Sequence, residues 1–150
     1  MKPAIFLIMF SPTILSLIVI HTIPVGLMLP WLWTACGTWP YGGYYDNINK
    51  VVYVCELKDK ADVSNQMIVD HEISHFIQDN LITAKEWESY QKEWAKSMAK
   101  GKTQFIRDYG MTNAKEGFAE DAMYIQSGRY KNPRDPQIRK RVAIVRKVLN

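Results

Sequence analysis

The chain has 150 residues, with 19 Lys and Arg against 15 Asp and Glu, a formal net charge of +4 and a hydrophobic content of 47%. This composition excludes an intrinsically disordered chain, and the length is that of one ordinary domain, or of a smaller domain with a tethering segment. Charge is unevenly spread, because Pro3 to Tyr45 contains no Lys, Arg, Asp or Glu.

Met1 and Lys2 precede an apolar run from Ala4 to Ile20, and a second run, Ile23 to Trp33, follows. A basic start and a hydrophobic stretch are what a secretory signal or a membrane anchor needs, although about 20 residues are the usual length of a span. Pro12, Pro24 and Pro30 oppose a straight soluble helix, whereas membrane helices tolerate proline better. Residues 1-35 are therefore expected to be a signal or membrane-anchor segment, leaving 36-150 as the folded domain. The chain would be exported, either membrane-anchored or secreted to the periplasm or medium, and a lipoprotein with Cys36 lipidated is a third version. A buried hairpin is the competing reading of the same run. Cys36 and Cys55 are the two cysteines. Outside the cytoplasm they could pair, closing a loop of about 20 residues and contributing on the order of 3 kcal/mol by chain entropy.

Trp39-Pro40-Tyr41-Gly42-Gly43 reads as a loop, and Trp39, Tyr41, Tyr44 and Tyr45 could line a groove or cover a small core. Lys50 to Glu56 is a strand by its β-branched and aromatic content. It is either an edge able to take an extended peptide by backbone pairing or an ordinary inner strand.

A helix is predicted from Asp62–Ser64 to Gln78, with Val69, Ile73, Phe76 and Ile77 as its buried stripe. Thr83 and Glu86 form a capping box before a helix from Ala84 to Lys100, which Gly101 stops. Asn113 with Glu116 opens a third helix, ending near Gly128. Asp135-Pro136 caps a fourth, with Ile138, Val142, Val145 and Leu149 facing inward. Arg129 to Lys147 holds eight basic residues against Asp135 alone. The simplest reading is a solvated positive face, with no nucleic-acid partner expected because no reader motif accompanies the charge.

His71-Glu72-Ile73-Ser74-His75 is HExxH. Residues four apart stand one above the other on a helix, so both imidazoles can reach a single ion. Glu72 borders the same face and can hold a water and take its proton. Zinc with an open position needs a third protein ligand. His21 lies in the uncharged N-terminal run, so a carboxylate must serve. Glu116 and Glu120 stand one turn apart on one helix face: one could bind the ion and the other accept an imidazole N–H, and spacing does not decide which.

HExxH followed by Tyr109-Gly110-Met111-Thr112-Asn113-Ala114-Lys115-Glu116-Gly117-Phe118-Ala119-Glu120 resembles the catalytic domain of the anthrax lethal factor family of zinc metallopeptidases, whose pattern is YGxTNxxExFAE after HExxH. The resemblance spans roughly Cys36 to Leu149. It implies an α+β, zincin-like metallopeptidase domain of short strands and about four helices, holding one Zn2+ per chain. It further implies Glu116 as third zinc ligand beside His71 and His75, Glu120 as the acid behind the ligands, and Glu72 as general base. Tyr109 would stabilise the oxyanion or assist the leaving group. Ser74 stands where the toxin has Gly, a harmless difference in a helix interior. The expected function is a zinc-dependent endopeptidase acting on an extended peptide or protein, with membrane contact through the N-terminal segment. A catalytically silent zinc-containing binding or structural module is the alternative.

Overall fold

A computed structural model describes residues 5–11, 14–20, 43–48, 51–55, 64–105, 107–130 and 133–150. The expectations placed on His21, Cys36, Trp39 and Tyr41 lie outside these residues. Four strands, β1 (Ile5–Ser11), β2 (Ile14–Ile20), β3 (Gly43–Asp46) and β4 (Val51–Cys55), precede four α-helices: α1 (Asn65–Asn80), α2 (Ala84–Lys100), α3 (Ala114–Gln126) and α4 (Pro136–Leu149). The class is α+β. Two compact units, Met1–Ile73 and Ser74–Asn150, divide within α1.

In the first unit the strands form one antiparallel sheet in the order β2-β1-β4-β3. The apolar run that sequence reads as an anchor, a signal or a hairpin forms the antiparallel pair β1–β2, with Leu7 opposite Ile20 and Phe10 opposite Leu17. Among the described residues, no helix is long and apolar enough to cross a membrane. β4 pairs with β1 on one side, Met9 opposite Val51, and with β3 on the other, Asp46 opposite Val51. It is thus an inner strand, and the edge-strand reading of Lys50–Glu56 is corrected: a strand with two hydrogen-bonded neighbours has no backbone groups left for a peptide. Val52 is fully buried and Val51 is 5% exposed, as an inner strand of β-branched residues should be. β3 forms in a stretch read as a lining loop. Its pairing is supported by the stacked rings of Tyr44 and Tyr53, centroids 6.2 Å apart, and the Asp46 side chain accepts the Ile48 N–H at 2.9 Å just after the strand.

In the second unit Tyr90, Phe118, Ala122 and Val145 are fully buried together, with Ile77, Trp87, Trp94 and Ile144 packed around them. Tyr90 meets Phe118 edge-on at 5.2 Å and stacks on Trp87 at 5.9 Å. Each such aromatic pair contributes roughly 0.5–1.5 kcal/mol beyond its buried area. The helix starts follow the expected caps. Thr83 Oγ1 accepts the Glu86 N–H while Glu86 reaches back to the Thr83 N–H. Asn113 Oδ1 accepts the Glu116 N–H, and Asp135 accepts those of Gln137 and Ile138. Gly101 closes α2 at φ 92°, a conformation that favours glycine.

Two expectations about burial are overturned. The face α1 buries most deeply carries Met67, Ile68, His71, Ser74 and Gln78, whereas Val69, Ile73, Phe76 and Ile77 are half-buried, Ile77 against the Tyr90–Phe118 cluster. At 100° per residue these two sets stand on opposite sides of the helix. His71 and Ser74 have partners on the inner side, and Gln78 has one for its Nε2, the Lys115 carbonyl, which offsets part of the cost of burying them. The solvated reading of the basic stretch fails at Arg141, which is fully buried. Its Nε and Nη2 bond the Asp121 carboxylate, Nη1 donates to Ser97 Oγ at 2.7 Å, and Nη2 also donates to the Gln104 carbonyl at 3.0 Å. The guanidinium lies 4.5 Å from the Phe105 ring centroid. Burial pulls the Arg141 pKa down, but the Asp121 charge and its hydrogen bonds more than reverse this, so the side chain stays charged.

Candidate metal centre

α1 begins where Ser64 Oγ accepts the Met67 N–H at 3.2 Å and the Ser64 carbonyl accepts that of Ile68, the N-cap arrangement. Gln66 and Asp70, one turn apart, are joined at 2.8 Å. Burial pushes the Asp70 carboxyl above its ordinary range, against the pull of Gln66. Next along the helix come His71, 7% exposed, and Glu72, 6% exposed. His75 follows one turn after His71, so the uninterrupted helix stacks the two imidazoles.

The third donor comes from α3. Asn113 caps its first turn, Phe118 and Ala119 are fully buried, and this sets Glu116 on the side facing His75. Glu116 Oε2 stands 3.3 Å from His75 Nε2. His71, His75 and Glu116 each offer one ligand atom, and all three atoms lie within 4.8 Å of one another. Among the described residues this is the one such group of three or more. Its chemistry fits a divalent ion: two donors each about 2.0–2.1 Å from a tetrahedral ion stand roughly 3.3–3.4 Å apart, the separation of the His75 and Glu116 atoms. Among the described residues the donor set is two imidazoles and one carboxylate, a combination that suits a divalent ion such as zinc.

Around these donors, Gly43 is pressed so close to α1 that an added Cβ would lie 2.6 Å from Ile68 Cγ2 and 2.7 Å from Glu72 Oε1. Glu120, one turn after Glu116, is 6% exposed, and its Oε1 lies 3.8 Å from Arg107 Nη1. Tyr109 is half-buried in the 3-10 turn Asp108–Met111, which packs on α3. That turn is fixed by the Thr112 N–H bonding the Tyr109 carbonyl at 3.0 Å and by Trp94 Nε1 donating to the Gly110 carbonyl at 2.9 Å. Gly117 lies under Trp94, with room for no Cβ: one would stand 2.6 Å from the indole. Cys55 ends β4 opposite Ile5, while its expected partner Cys36 is not among the described residues.

Sequence reasoning misses two residues here. Gly43 carries its signal in the Gly42-Gly43 pair, legible as a close approach only once β3 is known. Gln78, three residues after His75, shares the histidines' side of α1 and donates from Nε2 to the Lys115 carbonyl at 2.7 Å. Beside it, Lys115 Nζ reaches Asp79 at 3.2 Å. No protein-family model, curated protein or solved structure matches this chain.

Proposed function

We propose that the chain is a zinc-dependent endopeptidase of zincin-like fold, cleaving an extended peptide or protein. The single observation that carries this reading is the convergence of His71, His75 and Glu116 ligand atoms within 4.8 Å, with buried Glu72 next to His71 on the same helix. Zinc, when bound, supplies a Lewis acid that polarises a carbonyl and lowers the pKa of water. His71, His75 and Glu116 would hold it. Glu72 takes the proton from the attacking water and passes it to the leaving amine. The Tyr109 hydroxyl donates to the developing oxyanion. Glu120 stands behind Glu116 as a buried acid whose charge faces Arg107. Export is the proposed localisation, on the uncharged composition of residues 3–45, with β1 and β2 retained in the sheet rather than cleaved away.

Three donors among the described residues, with Glu72 beside them on the helix, favour this reading over a closed structural site, which commonly uses four protein ligands. The test is a purified full chain assayed on casein and on a mixed peptide library. The expected result is one zinc per chain and cleavage that a chelator abolishes and zinc restores. Glu72→Gln should keep its zinc and lose about 10²–10⁴-fold in turnover, the range for a general base. Zinc binding without any cleavage by the native chain would instead support the silent module.

A further inference from the structure

The peptide group that joins Lys115 to Glu116 is held at both of its ends. Its N–H, that of Glu116, donates to Asn113 Oδ1 at 3.0 Å. Its carbonyl, that of Lys115, accepts from Gln78 Nε2 at 2.7 Å. The first bond is an ordinary N-cap. The second is a side chain of α1 reaching across to the backbone of α3, one residue before the carboxylate that faces His75.

Gln78 is an expensive residue for that position if packing were its purpose. It is 8% exposed, and its Oε1 has no hydrogen-bond partner among the described residues. A buried amide with one end unsatisfied destabilises a fold relative to an apolar side chain of similar length. What the amide provides in return is the bond to the Lys115 carbonyl. That bond fixes the separation of α1 and α3 beside the 3.3 Å approach of His75 Nε2 and Glu116 Oε2. The exposed Lys115–Asp79 pair at 3.2 Å follows the same two helices but is solvent-screened and weak.

We infer that Gln78 is a positioning residue for the metal centre: with Asn113 it clamps the Lys115–Glu116 peptide, so that the Glu116 carboxylate is aimed at the histidine pair before any ion arrives. The inference rests on the metal-centre reading given above. It places part of the affinity for the ion in a hydrogen bond between two groups that never touch it, as outer partners of metal ligands generally do.

The test compares zinc dissociation constants, measured by chelator competition, with the melting temperature of the metal-free protein. Gln78→Met keeps the chain length and removes the donor. It should weaken zinc by about 10–100-fold, the range for loss of an outer partner, while the metal-free protein still melts cooperatively. Gln137→Met is the control. Gln137 is equally buried and also donates to a helix carbonyl, that of Glu93 at 3.0 Å, but takes no part in the clamp; its loss should leave zinc affinity unchanged. Should Gln78→Met fail to fold, the other end of the peptide serves: Asn113→Ala should weaken zinc and Asn113→Ser should restore it. Native zinc affinity in both Gln78→Met and Asn113→Ala, or equal weakening by Gln137→Met, would overturn the clamp alone. A native chain that binds no zinc would overturn the metal centre itself.

Discussion

Gly43 and Glu72 approach so closely that no side chain fits between them: a Cβ on residue 43 would lie 2.7 Å from Glu72 Oε1 and 2.8 Å from its Cγ. Substituting this glycine should therefore act on the carboxylate proposed as general base without touching a metal donor. Gly43→Ala is expected to retain zinc while turnover falls by about 10²-fold, since a misplacement near 1 Å can cost that much. Metal analysis and peptide cleavage on one preparation check both halves. Unimpaired turnover would show that Glu72 has another way to its working position.

Tyr109 offers a separate test of the oxyanion role. Tyr109→Phe removes the hydroxyl and keeps the ring in its 3-10 turn, so folding and zinc content should be preserved. Loss of one oxyanion donor costs about 10²–10³ in kcat, and a fall of about 10² with little change in KM is expected. A rate equal to that of the native chain would remove Tyr109 from the chemistry.

The buried Arg141–Asp121 pair should matter far more for stability than any surface pair. Arg141→Met leaves the Asp121 carboxylate in the interior with the Tyr90 hydroxyl, 2.8 Å away, and without its cation. The expected cost is about 3–5 kcal/mol in urea unfolding, because breaking one side of a buried pair strands the other charge. The double variant Arg141→Met with Asp121→Leu should recover much of that loss. If the single variant is as stable as the native protein, the network contributes specificity of packing but no net stability.

Glu86 carries a pH dependence of definite sign. The hydrogen bond from Lys147 at 2.7 Å, followed by those from Thr83, holds its carboxyl down to about 2 from an ordinary 4.5. A carboxyl lowered on folding stabilises the folded state fully above the unfolded value, and that contribution disappears as the pH falls from 4.5 through about 2. Metal-free native protein and Glu86→Gln should differ in stability near neutrality and converge over that interval. Added salt should shrink the difference, since the pair is solvent-accessible. A gap that persists unchanged at the acid end would contradict the assignment.

What could be read from the chain before its structure follows from how local each signal is. Helix starts are legible because a cap and its N–H partners are two or three residues apart, as at Thr83, Asn113 and Asp135. The stacking of His71 and His75 is legible because helical periodicity alone places them. The inward side of α1 is not: hydrophobicity favours Val69, Ile73, Phe76 and Ile77, whereas the helix turns His71, Ser74 and Gln78 inward. Periodicity reports where apolar groups recur and is blind to polar groups that find partners from distant sequence. Arg141 escapes for the same reason, since Asp121 and Ser97 are remote along the chain. β4 is recognisable as a strand, but its neighbours on either side depend on Ile5–Ser11 and Gly43–Asp46, which composition alone does not join to it.

The sheet order β2-β1-β4-β3 ties the start of the first unit's sequence to the strands Gly43–Asp46 and Val51–Cys55. β1 is the partner that keeps the Val51–Cys55 backbone from being open along one side. A peptidase trimming the chain after Ile20 would take both strands away and leave the two-stranded ribbon β3–β4, which is marginal alone and would lean on its contact with α1 at Gly43. Maturation by such a cut would then carry a conformational penalty, exposing a sticky flank of Val51 to Cys55 to the next molecule encountered.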